Sequence, residues 1–312
     1  MSGAIRSPIL ALLLLSAGRA ADAQFAAPSA LVRTTPAMPA RGSVAWLSVE
    51  DDPTRNDQSG LTDVSGEAAG EPLHFERAAG GFTALLGIPL EGGDTLPVAL
   101  RLSRQGRVDS TIVGLVVHHP SYPRERLRVP PRMVQYDSAT RARVDAELAR
   151  ARELSRRSHG TPRLWSPPLA LPRDSRITSP FGGAREFNGR VTSRHLGTDF
   201  AGAVGAPVGA AARGVVALVA DFYLAGRAVY LDHGAGLVTG YFHLSQASVA
   251  EGDTVAAGQR IGAVGRTGRV TGPHLHWIMR YGGISVDPMT LVELGREGAA
   301  AAGQGERAGA GQ

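Results

Sequence analysis

The hexapeptide GPHLHW at residues 272–277 places two histidines, His274 and His276, one residue apart inside an apolar run. In a strand, residues two apart project from the same face, so these imidazoles point side by side into a shared space, a pairing for which a packed core has little use. Upstream, GDTVAAGQRIGAVGRTGRVTG (252–272) alternates apolar residues with glycine at turn-like spacing. Tight turns between short antiparallel strands require that rhythm. Gly-punctuated β segments of this kind run from Ile177 to about Val292, and the region 176–294 reads as an all-β domain.

The rest of the chain is organised around that domain. From Gly42 to Val129, SVAWLSVE, FTALLGIPL, LPVALRLS and STIVGLVV alternate or run apolar between Gly, Asp and Pro turns. This predicts a small β-sandwich-like domain over 24–130, in which His118 and His119 close a strand rather than bind anything. Residues 131–175 form a linker. Its helix has Asp137 or Ser138 as N-cap and Val144, Leu148 and Leu154 on one apolar stripe among arginines, and the Pro-rich connector TPRLWSPPLALPRDS follows. The Gly/Ala-rich tail 295–312 has little to bury and reads as disordered.

Composition narrows the function. The chain has 312 residues, 43% hydrophobic and 20% charged, which is ordinary for a globular protein. Arg6, the apolar run ILALLLLSA and the small-x-small motif ADA (21–23) read as a cleaved secretory leader over 1–23. The run is too short to span a bilayer, and no other stretch is long and apolar enough, so no stable membrane span is expected after cleavage. The net charge of +5 falls to +4 without the leader, which carries Arg6 and Arg19 against Asp22. An exported, mildly basic protein is a poor candidate for nucleic acid and a better one for an acidic cell envelope. With no cysteine, any metal site must be built from His, Asp and Glu.

Five polar side chains stand out: His195 and Asp199 in SRHLGTDFAG, His243 in YFHLS, and His274 and His276 in GPHLHW. His233, in LDHGAG beside glycines, reads as a turn residue. Together the five match a catalytic zinc, which takes three His, Asp or Glu ligands and leaves a fourth position open. Two histidines then remain to act on water and substrate, a hydrolytic inventory that needs no nucleophilic Ser or Cys. There is no HExxH, so the helical zincin arrangement is excluded. Gly236, Gly240 and Gly272 are positions where a substrate could approach the backbone closely.

From ITSPFGGAREFNGR through RHLGTDFAGAVGAPVGAAARGVV, VYLDHGAGLVTGYFHLS and VAEGDTVAAGQRIGAVGRTGRVTGPHLHW to VDP, the chain closely resembles the M23 (LytM/lysostaphin-type) zinc metallopeptidases. The likeness covers about Ile177 to Pro288, with H-x-x-x-D, a lone His after a Tyr-containing strand, and H-x-H in the family's order. Phe200 departs from it, standing where a smaller aliphatic residue is expected. The resemblance implies an LytM-like antiparallel sheet and one Zn2+ per chain, held by His195, Asp199 and His276, with His243 and His274 as catalytic histidines. It implies an exported endopeptidase that hydrolyses peptide bonds of cell-wall peptidoglycan and acts in the periplasm or outside the cell. Two rivals stand beside that reading. One is a non-catalytic wall-binding regulator of other hydrolases, disfavoured because every ligand position is filled. The other is a zinc peptidase acting on Gly-rich proteins.

Overall fold

The structure, a computed structural model, describes residues 30–51, 60–189 and 191–309. The expected leader, 1–23, lies outside them. Eight strands form the N-terminal part: β1 (Ala30–Thr35), β2 (Val44–Asp51), β3 (Asp63–Ala68), β4 (Glu71–Leu73), β5 (Glu76–Ala78), β6 (Gly81–Gly87), β7 (Thr95–Arg104) and β8 (Arg107–Val116). They pair antiparallel into two four-stranded sheets, ordered β1-β2-β6-β5 and β4-β3-β7-β8. Alternation in the sequence sets the buried faces. In β7, Leu96, Val98, Leu100 and Leu102 are buried while the residues between them are more exposed.

Strand β9 (Arg124–Leu127) follows, and then helix α1 (Ser138–Arg157). Asp137 caps the helix by accepting a hydrogen bond from the Thr140 backbone N–H at 2.7 Å. The expected stripe holds at Val144 and Leu154, which are buried, but Leu148 is 45% exposed; Ala151 and Ser155 complete the buried face. Ala151 and Leu154 pack with Leu218, Ala228, Tyr230, Val238, Phe242 and Ile278. The helix therefore lies on the following sheet and is no free spacer.

That sheet is built from β10 (Ile177–Ser179), β13 (Thr198–Ala201), β14 (Pro207–Gly209), β15 (Gly214–Phe222), β16 (Gly226–Gly234), β17 (Leu237–Ala247), β18 (Thr254–Val255), β19 (Arg260–Val264), β20 (His274–Tyr281) and β21 (Ile284–Val286). Its main order is β10-β13-β20-β17-β16-β15-β18, and its pairings are antiparallel. Two further strands, β11 (Ala184–Phe187) and β12 (Val191–Arg194), make a small sheet with β9, in which β9 runs parallel to β11. This all-β architecture with a helix ahead of it agrees with the sequence reading.

One helix ends the described chain, α2 (Pro288–Gly309). Its first turns bury Leu291, Val292 and Leu294. The reading of 295–312 as disordered is corrected for the described residues 295–309, over which the helix continues, through an alanine run whose residue type has the highest intrinsic helix propensity. His233 is also corrected. It is no turn residue but lies fully buried on β16, with Nδ1 donating to the Arg213 carbonyl at 2.8 Å and Nε2 2.7 Å from Thr239 Oγ1.

Candidate metal centre

The strand register assembles the site. Asp199 on β13 stands directly opposite His276 on β20, and Phe242 on β17 flanks His276 from the other side. Along β20 the alternation anticipated from GPHLHW is present: Leu275 and Trp277 are fully buried in the core, and His274 and His276 face the groove. His195 precedes β13 and is pinned by its backbone, whose N–H donates to the Gly183 carbonyl at 2.8 Å and whose carbonyl accepts from Gly182 at 2.7 Å.

Three donor atoms converge. His195 Nε2 lies 3.0 Å from Asp199 Oδ1 and 3.0 Å from His276 Nδ1, and His276 Nδ1 lies 2.6 Å from Asp199 Oδ1. Among the described residues this is the one such cluster of three or more His, Cys, Asp or Glu. The donor chemistry fits a cation. His195 Nδ1 donates to the Pro180 carbonyl at 2.8 Å, which fixes the tautomer and leaves a lone pair on Nε2. Burial disfavours the Asp199 carboxylate, but the adjoining His276 and His195 rings outweigh it and hold the group well below the ordinary carboxylate range, so it stays ionised. Burial pushes His276 down to about 4, against the opposing pull of Asp199, and so keeps that ring neutral.

The other two histidines flank the cluster. His274 Nδ1 donates to the Gly272 carbonyl at 2.8 Å, and its Nε2 comes within 3.7 Å of Asp199 Oδ1. His243 Nδ1 donates to the Thr267 carbonyl at 2.8 Å, and its ring centre is 4.9 Å from that of His274. Both rings are thereby held as tautomers with Nε2 free to accept a proton. Burial, then the nearby His276 and His274, hold His243 well below the ordinary histidine range. Its φ of 61° is left-handed, an unfavourable backbone conformation for a residue with a Cβ and one that clusters at functional sites.

Two residues of the site escaped sequence reasoning. Arg185 on β11 donates from Nη2 to Asp199 Oδ2 at 2.6 Å and from Nε to Glu125 Oε2 at 2.9 Å. Glu125 also accepts from Ser179 Oγ at 2.5 Å, and Ser179 Oγ lies 3.0 Å from His195 Nδ1. This network ties two members of the cluster to β9, sixty residues earlier than Arg185. The parallel pairing Arg185↔Glu125 creates it, and no local spacing in the sequence announces that pairing.

The cluster opens on a groove of about 550 Å³, one wall of which is made by β9 and by Val144, Leu148 and Arg152 of α1. Of the three glycines read as points of substrate approach, only Gly272 faces open space. A Cβ on Gly236 would strike the His159 ring at 2.4 Å, and one on Gly240 would meet Ile278 and Phe242 at 2.8 Å, so both serve packing. Phe200 is buried in the core, 6.2 Å from the Trp277 ring, and leaves the cluster undisturbed.

Residues 193–288 match the model of peptidase family M23. The peptidoglycan DD-endopeptidase ShyA of Vibrio cholerae is 46% identical over 102 residues, 32% of this chain and 24% of that protein. The DD-carboxypeptidase/endopeptidase Mpg of Neisseria meningitidis is 43% identical over 117 residues, 38% of this chain and 27% of that protein. The chain thus spans about a quarter of the length of these curated relatives. A crystal structure assigned to peptidase M23 from Pseudomonas aeruginosa superposes with a TM-score of 0.60 at 28% identity, over 81% of this chain and 95% of that one.

Proposed function

We propose, on the premise that residues 193–288 of this chain are a domain of peptidase family M23, that the protein is a zinc metalloendopeptidase cutting peptide bonds of cell-wall peptidoglycan. The observation that carries this reading is the convergence of His195 Nε2, Asp199 Oδ1 and His276 Nδ1 at 2.6–3.0 Å, beside two histidines whose Nε2 atoms are free. Its relatives named as peptidoglycan endopeptidases support the substrate. The leader-like segment 1–23 and that substrate support export to the envelope.

His195, Asp199 and His276 are the ligands in this reading, one ion per chain. Two neutral imidazoles and one carboxylate suit zinc and leave it net positive. The ion supplies a Lewis acid that polarises the scissile carbonyl and lowers the pKa of water toward 7. His274, with Nδ1–H fixed on Gly272, accepts the proton of the attacking water at Nε2 and returns it to the leaving amine. Once His274 has taken that proton, its Nε2–H becomes a donor toward negative charge developing on the carbonyl oxygen, and His243, its ring centre 4.9 Å away, lines the groove beside it as the second catalytic histidine. Arg185, itself held by Glu125, orients Asp199 and neutralises its second oxygen.

The test has two arms. Elemental analysis of the full mature chain should give one zinc, absent from His195→Ala, Asp199→Ala and His276→Ala and retained by His274→Ala and His243→Ala. Mass spectrometry of purified wall incubated with the zinc-loaded protein should show released peptides. The last two variants should lose roughly 10²- to 10⁴-fold in turnover. A folded, zinc-loaded wild type that releases nothing from wall would overturn this reading and leave the regulator and the peptidase of Gly-rich proteins, which digestion of a soluble Gly-rich protein tells apart.

A further inference from the structure

The groove beside the metal centre is cationic, and its cations differ in how they are satisfied. Arg185 is neutralised by Glu125 and Asp199, and Arg194 faces Glu91 at 3.2 Å. Arg269 also lines the groove, but among the described residues it forms no ion pair. Its Nη1 donates to the Tyr136 hydroxyl at 3.3 Å, and its guanidinium stacks over the Phe187 ring with the carbon 4.2 Å from the centroid. A guanidinium offers five N–H donors in a planar fork, so most of its hydrogen-bonding capacity is unspent. Burial is the first influence on Arg269 and works against its charge, with Arg185 adding to the strain.

The backbone that carries this side chain is also the backbone that holds the two flanking histidines. The Thr267 carbonyl accepts from His243, the Gly272 carbonyl accepts from His274, and between them the Arg269 N–H donates to the Leu224 carbonyl at 2.8 Å. The guanidinium is thus stacked on one side, anchored at its root, and held on the wall of the groove that the histidines also line. A half-desolvated cation in such a place is matched by an anion arriving with the substrate, because a charge-assisted, bidentate pair recovers what burial costs.

We propose that Arg269 is a specificity-determining residue that binds a carboxylate of the substrate peptide close to the scissile bond, and so selects acidic peptides over neutral ones. The proposal rests on reading the site as a peptidase, and it adds the charge of the substrate to that reading. Arg269 touches no reacting atom; it fixes where the peptide lies.

The experiment uses the zinc-loaded full chain with cross-linked peptide dimers released from purified wall, and the same dimers with their carboxylates converted to amides. Hydrolysis is followed as kcat and KM separately, and binding of the cleaved products, free and amidated, is measured by calorimetry so that affinity is read without turnover. Wild type should prefer the free carboxylates by about 10- to 100-fold, the range of one charge-assisted hydrogen-bonded pair. In Arg269→Gln that preference should fall to within about threefold, mostly through KM, with zinc content and thermal midpoint unchanged; Arg269→Lys should restore part of it. The readout is the difference between the two proteins, which cancels any effect of amidation at the metal. An Arg269→Gln protein that keeps the wild-type preference overturns the proposal while leaving the peptidase reading intact. A wild type that cuts neither dimer, yet binds products with an Arg269-dependent preference, overturns the peptidase reading and keeps the carboxylate site.

Discussion

Buried imidazoles in this protein do two different jobs, and His233 shows the structural one. It is enclosed by Arg213, Thr239 and, through Thr239, the Tyr241 hydroxyl, and burial lowers its pKa from 6.5 to about 4. Between those values the unfolded chain takes up a proton that the folded chain refuses. Stability attributable to this residue is therefore full above pH 6.5 and falls as the pH drops toward 4, by about 3 kcal/mol in all. Urea unfolding of wild type and His233→Gln at pH 7 and pH 4.5 should show a smaller acid penalty in the variant; equal penalties would dismiss the mechanism. The other job belongs to the histidines that line the groove, and Arg185 supports it by holding Asp199 beside them. Replacing Arg185 by Met strands Glu125 and Asp199 without their shared cation, and zinc affinity measured against a competing chelator should fall roughly 10- to 100-fold. An unchanged affinity would show that the ion pair orients nothing. Four of the five candidate residues were legible in the sequence as H-x-x-x-D and H-x-H, the latter because strand alternation puts both rings on one face, and His243 was found through the resemblance that also implied the roles. Arg185 and Glu125 were not, since their meeting depends on β9 running parallel to β11 and on nothing either residue's neighbours reveal.

At the scale of elements, α1 is where sequence and structure diverge most. Its arginines mark it as a solvated connector, and on most of its surface it is one; the deciding contacts are two small patches, Ala151 and Leu154, whose partners lie on β15, β16, β17 and β20. Periodicity located the stripe but could not say what it would cover, because the partner strands come sixty or more residues later. The turned-out Leu148 has the same origin, since it borders the groove where no strand comes up to meet it. Truncating Leu154 to Ala leaves a cavity between helix and sheet, and the expected loss is about 2–4 kcal/mol. Denaturant titration checks this. A loss below about 1 kcal/mol would mean that the helix is loosely attached after all, and would restore its reading as a spacer.

The whole molecule is held together across the boundaries that composition suggested. Trp46 of the N-terminal sheets stacks on Trp165 at 6.1 Å, the Tyr281 hydroxyl donates to the Pro72 carbonyl at 2.7 Å, and the Gly283 N–H donates to Glu71 at 2.7 Å. Leu86 and Ile88 share one hydrophobic cluster with Tyr281 and Leu291. These ties fix the N-terminal part to the sheet that carries the groove, and one wall of the groove is drawn from β9 and α1, an arrangement that suits support. Inhibition by that part would instead require one of its side chains to reach in beside His195, Asp199 and His276. The nearest carboxylate from that side, Glu125, is engaged by Arg185 and Ser179. It follows that residues 176–312 alone should be worse in two respects than the full mature chain. Without Ala151 and Leu154 the faces of Tyr230, Phe242 and Ile278 are bared, and a thermal midpoint lower by roughly 10 °C is expected. Without Glu125, Arg185 is half satisfied, so zinc should leave more readily on dialysis against chelator. Turnover of a soluble peptide should fall with both. If the shortened chain instead keeps its zinc and cuts that peptide many times faster than the full chain, the N-terminal part covers the groove, and its role is inhibition rather than support.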